Sequence, residues 1–108
     1  MHARVTQLRI LPGKLNEFRR AVDSLMPMAR KQAGMRALVV LRTPEPGIEG
    51  VTVVSVWDSV EAMRASEKNL YFYQALARTK LVTDGIPMIR EHEVLAAHLS
   101  PVLQSKTA

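Results

Sequence analysis

Apolar and polar positions along this chain change period several times, and each change marks an element. Residues 2 to 11 carry Val5, Leu8, Ile10 and Leu11 among Thr6, Gln7 and Arg9, an imperfect alternation that predicts a strand. Pro12-Gly13 breaks it. Leu15, Phe18, Val22, Leu25 and Ala29 then recur at spacings of three and four, the stripe of an amphipathic helix. Pro27 lies inside that stripe and removes the amide that would bond the Asp23 carbonyl, so a kink or break is expected before a last turn of Ala29-Arg30-Lys31, with Gly34 as the residue just past the helix end.

Residues Met35 to Thr43 predict a second strand and residues 51 to 57 a third, joined by a long loop through TPEPGIEG as a β-hairpin. In the third strand Val51, Val53, Ser55 and Trp57 share one face, and Thr52, Val54 and Val56 share the other. Asp58 with Glu61 three residues on has the spacing of a capping box, which starts a helix carrying Val60 and Met63 inward. The SEKN segment interrupts it before a second stripe of Leu70, Tyr73 and Ala77, so residues 59 to 82 are expected to be helical in two pieces. Asp84-Gly85 reads as a turn, and a last strand is expected from about Pro87 to Leu99.

The order strand, helix, strand, strand, helix, strand is the βαββαβ pattern of an α+β, ferredoxin-like fold with a four-stranded antiparallel sheet. Two helices can cover only one face of that sheet. The strands at 36 to 41 and 51 to 57 are apolar on both parities, so the second face is expected to be covered by another copy of the chain in a symmetric homodimer.

Composition narrows the classes. At 108 residues the chain fits a single domain, expected over 1–100 with a polar tail at 101–108. The absence of cysteine removes disulfides, thiolate metal sites and a Cys nucleophile, and suits a reducing cytoplasm. The N-terminus lacks a signal-like apolar run, and no stretch approaches the roughly 20 apolar residues that span a bilayer, so no membrane partner and a cytoplasmic location are expected. Fifteen basic residues exceed ten acidic ones, but they are scattered and do not interleave with aromatics, so nucleic acid is not an expected partner. The glycines form no phosphate-cradling loop or dinucleotide fingerprint, and there is no serine elbow.

Three stretches together, LRILPGKLNEF, LMPMARKQAGMRALVVLR and VTVVSVWDSVEAMRAS leading into a Tyr-containing helix, resemble the antibiotic-biosynthesis-monooxygenase family. The resemblance covers nearly the whole chain and implies two ferredoxin-like subunits packed sheet to sheet as a dimeric α/β barrel. It also implies a choice of activities, among them cofactor-independent oxygenation of anthrones and quinols, and heme degradation. Of the heme-degrading branch's residues only the tryptophan has a match, Trp57; Thr6 stands where that branch has asparagine, and Ser66, Glu67 and Lys68 stand where it has histidine. No heme, metal or other cofactor is therefore expected.

In the cofactor-free members that the chain resembles, deprotonation of a phenolic ring system yields a carbanion that reacts with dioxygen directly, so the protein supplies a pocket, a base and hydrogen-bond donors. Trp57, Tyr71 and Tyr73 are the catalytic candidates for such a reaction on a polycyclic phenol, anthrone or quinol. Thr6, Ser55, Met63, Phe72, His92 and His98 are candidates for holding the substrate. Tyr71 and Tyr73, two apart on a helix, cannot point the same way. His92 and His98 would share a strand face about 20 Å apart, too far to bind one metal, and antiparallel pairing of the end strands could bring His2 near His98. Arg9 and Gln7 are expected on the face opposite Thr6, in the subunit interface, where Arg9 would need a partner. A non-catalytic module that binds a small molecule in the same pocket is the alternative reading.

Overall fold

The computed structural model describes residues 1–45 and 48–99. Its elements are β1 (His2–Ile10), α1 (Leu15–Ala29), β2 (Met35–Glu45), β3 (Ile48–Trp57), α2 (Val60–Ser66), α3 (Leu70–Lys80) and β4 (Thr83–Glu93). The strands form one antiparallel sheet in the order β2-β3-β1-β4, which is the ferredoxin-like arrangement.

The helices take one face of this sheet. Ile10, Phe18, Val51 and Val82 form a buried cluster, with Leu8, Leu15, Val22, Val40 and Val53 packed around it. The strand residues among them come from even positions of β1 and β2 and odd positions of β3, the alternation that a sheet covered on one side imposes. The α1 stripe lands as its spacing implies, with Phe18, Leu25 and Ala29 buried.

Several boundaries differ from the expectations, each for a local reason. Pro27 does not break α1, because the helix ends only two residues later and the Arg30 amide donates to the Met26 carbonyl at 3.0 Å, closing the turn past the missing donor. Gly34 is not the residue after the helix; it closes a further turn at φ 81°, a conformation that suits glycine. The long hairpin loop is absent, since β2 continues to Glu45 and β3 starts at Ile48. Pro44 is tolerated there because β2 is an edge strand.

The cap of α2 is Ser59, whose hydroxyl accepts from the Ala62 amide at 3.1 Å, and not Asp58, which is ion-paired to Arg36 instead. The last strand begins and ends earlier than expected, and its start explains the Asp84-Gly85 signal. Between the pairs Gln7–Met88 and Arg9–Asp84 the register slips, with Gly85 at φ 78°, so those residues make a bulge within β4 and not a turn before it. The expected tail at 101–108 lies outside the described residues, and no helix among those described is long and apolar enough to cross a membrane.

The second sheet face stays open. Val39, Leu41 and Met88 are about half exposed, and Val5, Val54 and Val56 are partly covered. Gln7 and Arg9 lie on this face, as expected, and are exposed. β4 is exposed along nearly its whole length, since only β1 borders it.

Candidate active site

Between α1, α3 and the sheet lies an apolar slot of about 100 Å³. Leu8, Leu38, Val40 and Val53 make its floor; Phe18, Val22, Leu25, Met26 and Ala29 of α1 make one wall, and Tyr71, Ala75 and Thr79 of α3 the other. The expected α3 stripe is therefore wrong by a rotation: Leu70 and Tyr73 are 66% and 59% exposed, and positions 71, 75 and 79 face inward. Apolar residues run almost around this helix, so their spacing does not choose a face, and tertiary packing turns in the amphipathic Tyr and Thr. No residue of α3 is fully buried.

Only two polar side chains line the slot. The Thr79 hydroxyl donates to the Ala75 carbonyl at 2.8 Å, a bond within its own helix. Among the described residues the Tyr71 phenol has no such partner, and burial pushes its pKa up, partly offset by the positive charge of Arg4. Tyr71 therefore keeps its proton at neutral pH and presents an O–H donor rather than a base.

Arg4 was not among the expected site residues. It occupies a core-facing position of the central strand β1 and is 9% exposed. Its guanidinium lies 5.5 Å from the centre of the Phe72 ring and donates from Nη2 to Glu67 Oε1. Glu67 also accepts from Arg64 at 3.2 Å, and Arg64 forks onto both oxygens of Glu91 at 2.6 and 2.5 Å. Those hydrogen bonds from Arg64 hold the Glu91 carboxyl below the usual carboxylate range. Glu91 thus ties β4 to α2. His2 approaches it at 3.9 Å.

Directly across β1 from Arg4 on β3 is Ser55, whose Oγ accepts the Trp57 indole N–H at 3.0 Å. Trp57 and Met63 are the largest fully buried side chains. Five of the expected residues, Ser55, Trp57, Phe72, Tyr71 and Thr6, thus surround or flank Arg4 on the helix side of the sheet. Tyr71 alone of all nine lines the slot itself. Tyr73 is turned outward, its ring edge-on to Phe72 at 6.2 Å. His92 lies on the open sheet face beside Ala3, and His98 falls after the strand, so the two do not share one. His2 is paired in the sheet with Glu93, not with His98. Among the described residues no group of three or more His, Asp or Glu side chains could hold a metal ion.

An antiparallel ferredoxin-like sheet with an apolar slot under its helices defines the class of protein. A model of the antibiotic biosynthesis monooxygenases matches residues 1–78, and the chain belongs to that family. Solved structures with the same fold include a candidate antibiotic biosynthesis monooxygenase from Nitrosomonas europaea, 9% identical with a TM-score of 0.78, over 89% of this chain and all (100%) of that one. A candidate antibiotic biosynthesis monooxygenase from Caulobacter crescentus is 22% identical with a TM-score of 0.73, over 88% and 90% of the two chains. A mutant of SnoaB, a cofactor-independent oxygenase from Streptomyces nogalater, is 12% identical with a TM-score of 0.76, over 89% and 94%. No curated protein matches the sequence.

Proposed function

We propose that this chain is a cofactor-independent monooxygenase that oxidises a phenol, anthrone or quinol-like small molecule held in the slot beside Tyr71. The observation that carries this reading is an apolar chamber with one titratable group in its wall, the protonated Tyr71, in a family named for monooxygenation. The slot desolvates the ring, which favours transfer of electrons from its ionised form to dioxygen, and Tyr71 donates to the substrate oxygen. A carbon–oxygen bond forms at the activated ring carbon. The O–O bond then breaks, one oxygen becomes a product carbonyl, and the other leaves as water with two hydrogens of the substrate. The substrate supplies all the electrons.

At about 100 Å³ the slot is smaller than the roughly 300–1,000 Å³ of usual ligand sites, and nearer to the engineered cavities of about 150 Å³ that take benzene. A single ring suits it without rearrangement. A polycyclic one requires α3, which buries no residue fully, to move outward.

The test is oxygen uptake on a panel of anthrones, naphthols and monocyclic quinols, comparing the intact chain with Tyr71→Phe and Trp57→Phe. Uptake above the buffer rate with at least one compound, lowered tenfold or more in Tyr71→Phe, is the expected result; none with any compound removes the proposal. The nearly unbroken apolar lining favours a second reading, a non-catalytic binding module, which predicts saturable binding of the same compounds with no oxygen consumed.

We also propose that a second copy covers the open sheet face. Val39, Leu41 and Met88 present apolar surface there, and burying it on an identical face is the simplest closed solution. Sedimentation at micromolar concentration should give twice the chain mass, and a mass of one chain would rule the dimer out.

A further inference from the structure

We propose that Arg4 is an anion receptor at the Tyr71 end of the slot, and that the ligand is a small aromatic molecule bearing a negatively charged oxygen. This rests on the slot being the functional site but not on its chemistry. A guanidinium taken nine-tenths out of water needs acceptors for its planar array of N–H donors. Arg4 has one hydrogen bond, from Nη2 to Glu67; among the described residues its other N–H groups have no protein acceptor, and they are open to water. Those donors are left to water in a residue that is otherwise buried. An incoming anion can take the place of that water, because charge-assisted bonds to guanidinium are among the stronger polar contacts.

The surroundings suit an anion on a ring. Phe72 covers one side of the guanidinium; Tyr71, next to Phe72 on α3 and near enough to feel the charge of Arg4, lines the slot, and among the described residues no bond aims its O–H. Ser55 stands beside Arg4 on β3 and accepts the Trp57 N–H, which leaves its own O–H hydrogen to donate. Among the described residues Glu67 is the sole carboxylate bonded to Arg4, and it is shared with Arg64, which already has Glu91 as a second partner. An anion can therefore displace Glu67 from Arg4 without leaving that carboxylate unpaired.

Calorimetric titration of the full chain with benzoate, 4-nitrophenolate and the uncharged benzamide tests this, in the absence of any turnover. The two anionic probes separate a carboxylate from a phenolate ligand, and either one binding at least tenfold more tightly than benzamide is the expected result. Arg4→Gln should lose that preference, and Arg4→Lys should keep part of it. Because Arg4→Gln can also fail to fold, Glu67→Gln is the decisive variant. Removing the competing carboxylate should tighten binding of the anionic probe several-fold and leave benzamide unchanged. A merely structural ion pair gives the opposite result, equal or weaker binding of all three probes in Glu67→Gln. That result, or anions that bind no better than benzamide to the intact chain, overturns the proposal. Failure of oxygen uptake leaves it standing, so the two readings are tested separately.

Discussion

Trp57→Ala lowers the stability of the folded chain by about 3–5 kcal/mol, the range for removing a large buried aromatic side chain. Trp57 is 1% exposed at the end of β3, where the strand hands over to α2, and Met63 of that helix is 0% exposed. Alanine there removes the apolar contacts of the indole and leaves a cavity that strand and helix backbones cannot close without moving. It also leaves Ser55, itself buried, without the indole donor that its oxygen accepts. Trp57→Phe keeps most of the volume and loses only that hydrogen bond, so its cost should be about 1–3 kcal/mol. Urea unfolding of both variants checks the order. Equal costs for the two would show that the hydrogen bond, and not the packing, dominates.

Gly34→Ala should cost about 2–5 kcal/mol, from two sources that act at one atom. At φ 81° any Cβ is strained by about 1–2 kcal/mol. The position is also crowded: a Cβ would stand 2.6 Å from the Ala62 Cβ, on the short helix α2. Overpacking of that kind costs about 1–3 kcal/mol more. The closeness has a purpose in the fold, since the Asp58 amide donates to the Gly34 carbonyl at 2.8 Å and clasps the turn after α1 to the start of α2. Gly13→Ala is the control. It has a similar φ of 76° but open space around it, so only the strain applies, and a smaller loss of unfolding midpoint is expected. If the two alanine variants lose the same stability, the contact with Ala62 is not significant.

The contrast between α1 and α3 shows what was legible from residue order. In α1 the apolar positions fall on one side only, and the structure buries that side. In α3 Leu70, Tyr71, Phe72 and Tyr73 follow one another, a run that offers every face equally, and the choice is made by what lies beneath. The fold survives such an error because it depends on which elements exist and in what order. The site does not, because turning α3 exchanges Tyr73 for Tyr71 in the wall of the slot.

Arg4 was missed for a related reason. Binary patterning reserves the inward parity of a central strand for apolar side chains, and a cation there conflicts with it. Its carboxylate partner Glu67 is 63 residues away in the chain, a pairing that no local spacing reveals. The sequence points instead to Arg9, which the structure leaves exposed on the open face. The available signal was parity: Arg4 shares it with Leu8 and Ile10, both on the helix side. Likewise Ser59 and Asp58 are both good caps by type, and only the Arg36 ion pair shows why the aspartate is otherwise engaged.

Catalysis in the slot is tested most directly by turning over an active quinol or anthrone under isotopically labelled dioxygen and weighing the product. One labelled oxygen atom per product molecule, with the second recovered as water and the yield falling in Tyr71→Phe, is the expected outcome. Product that carries no label, or hydrogen peroxide formed in its place, would contradict oxygenation by this chain.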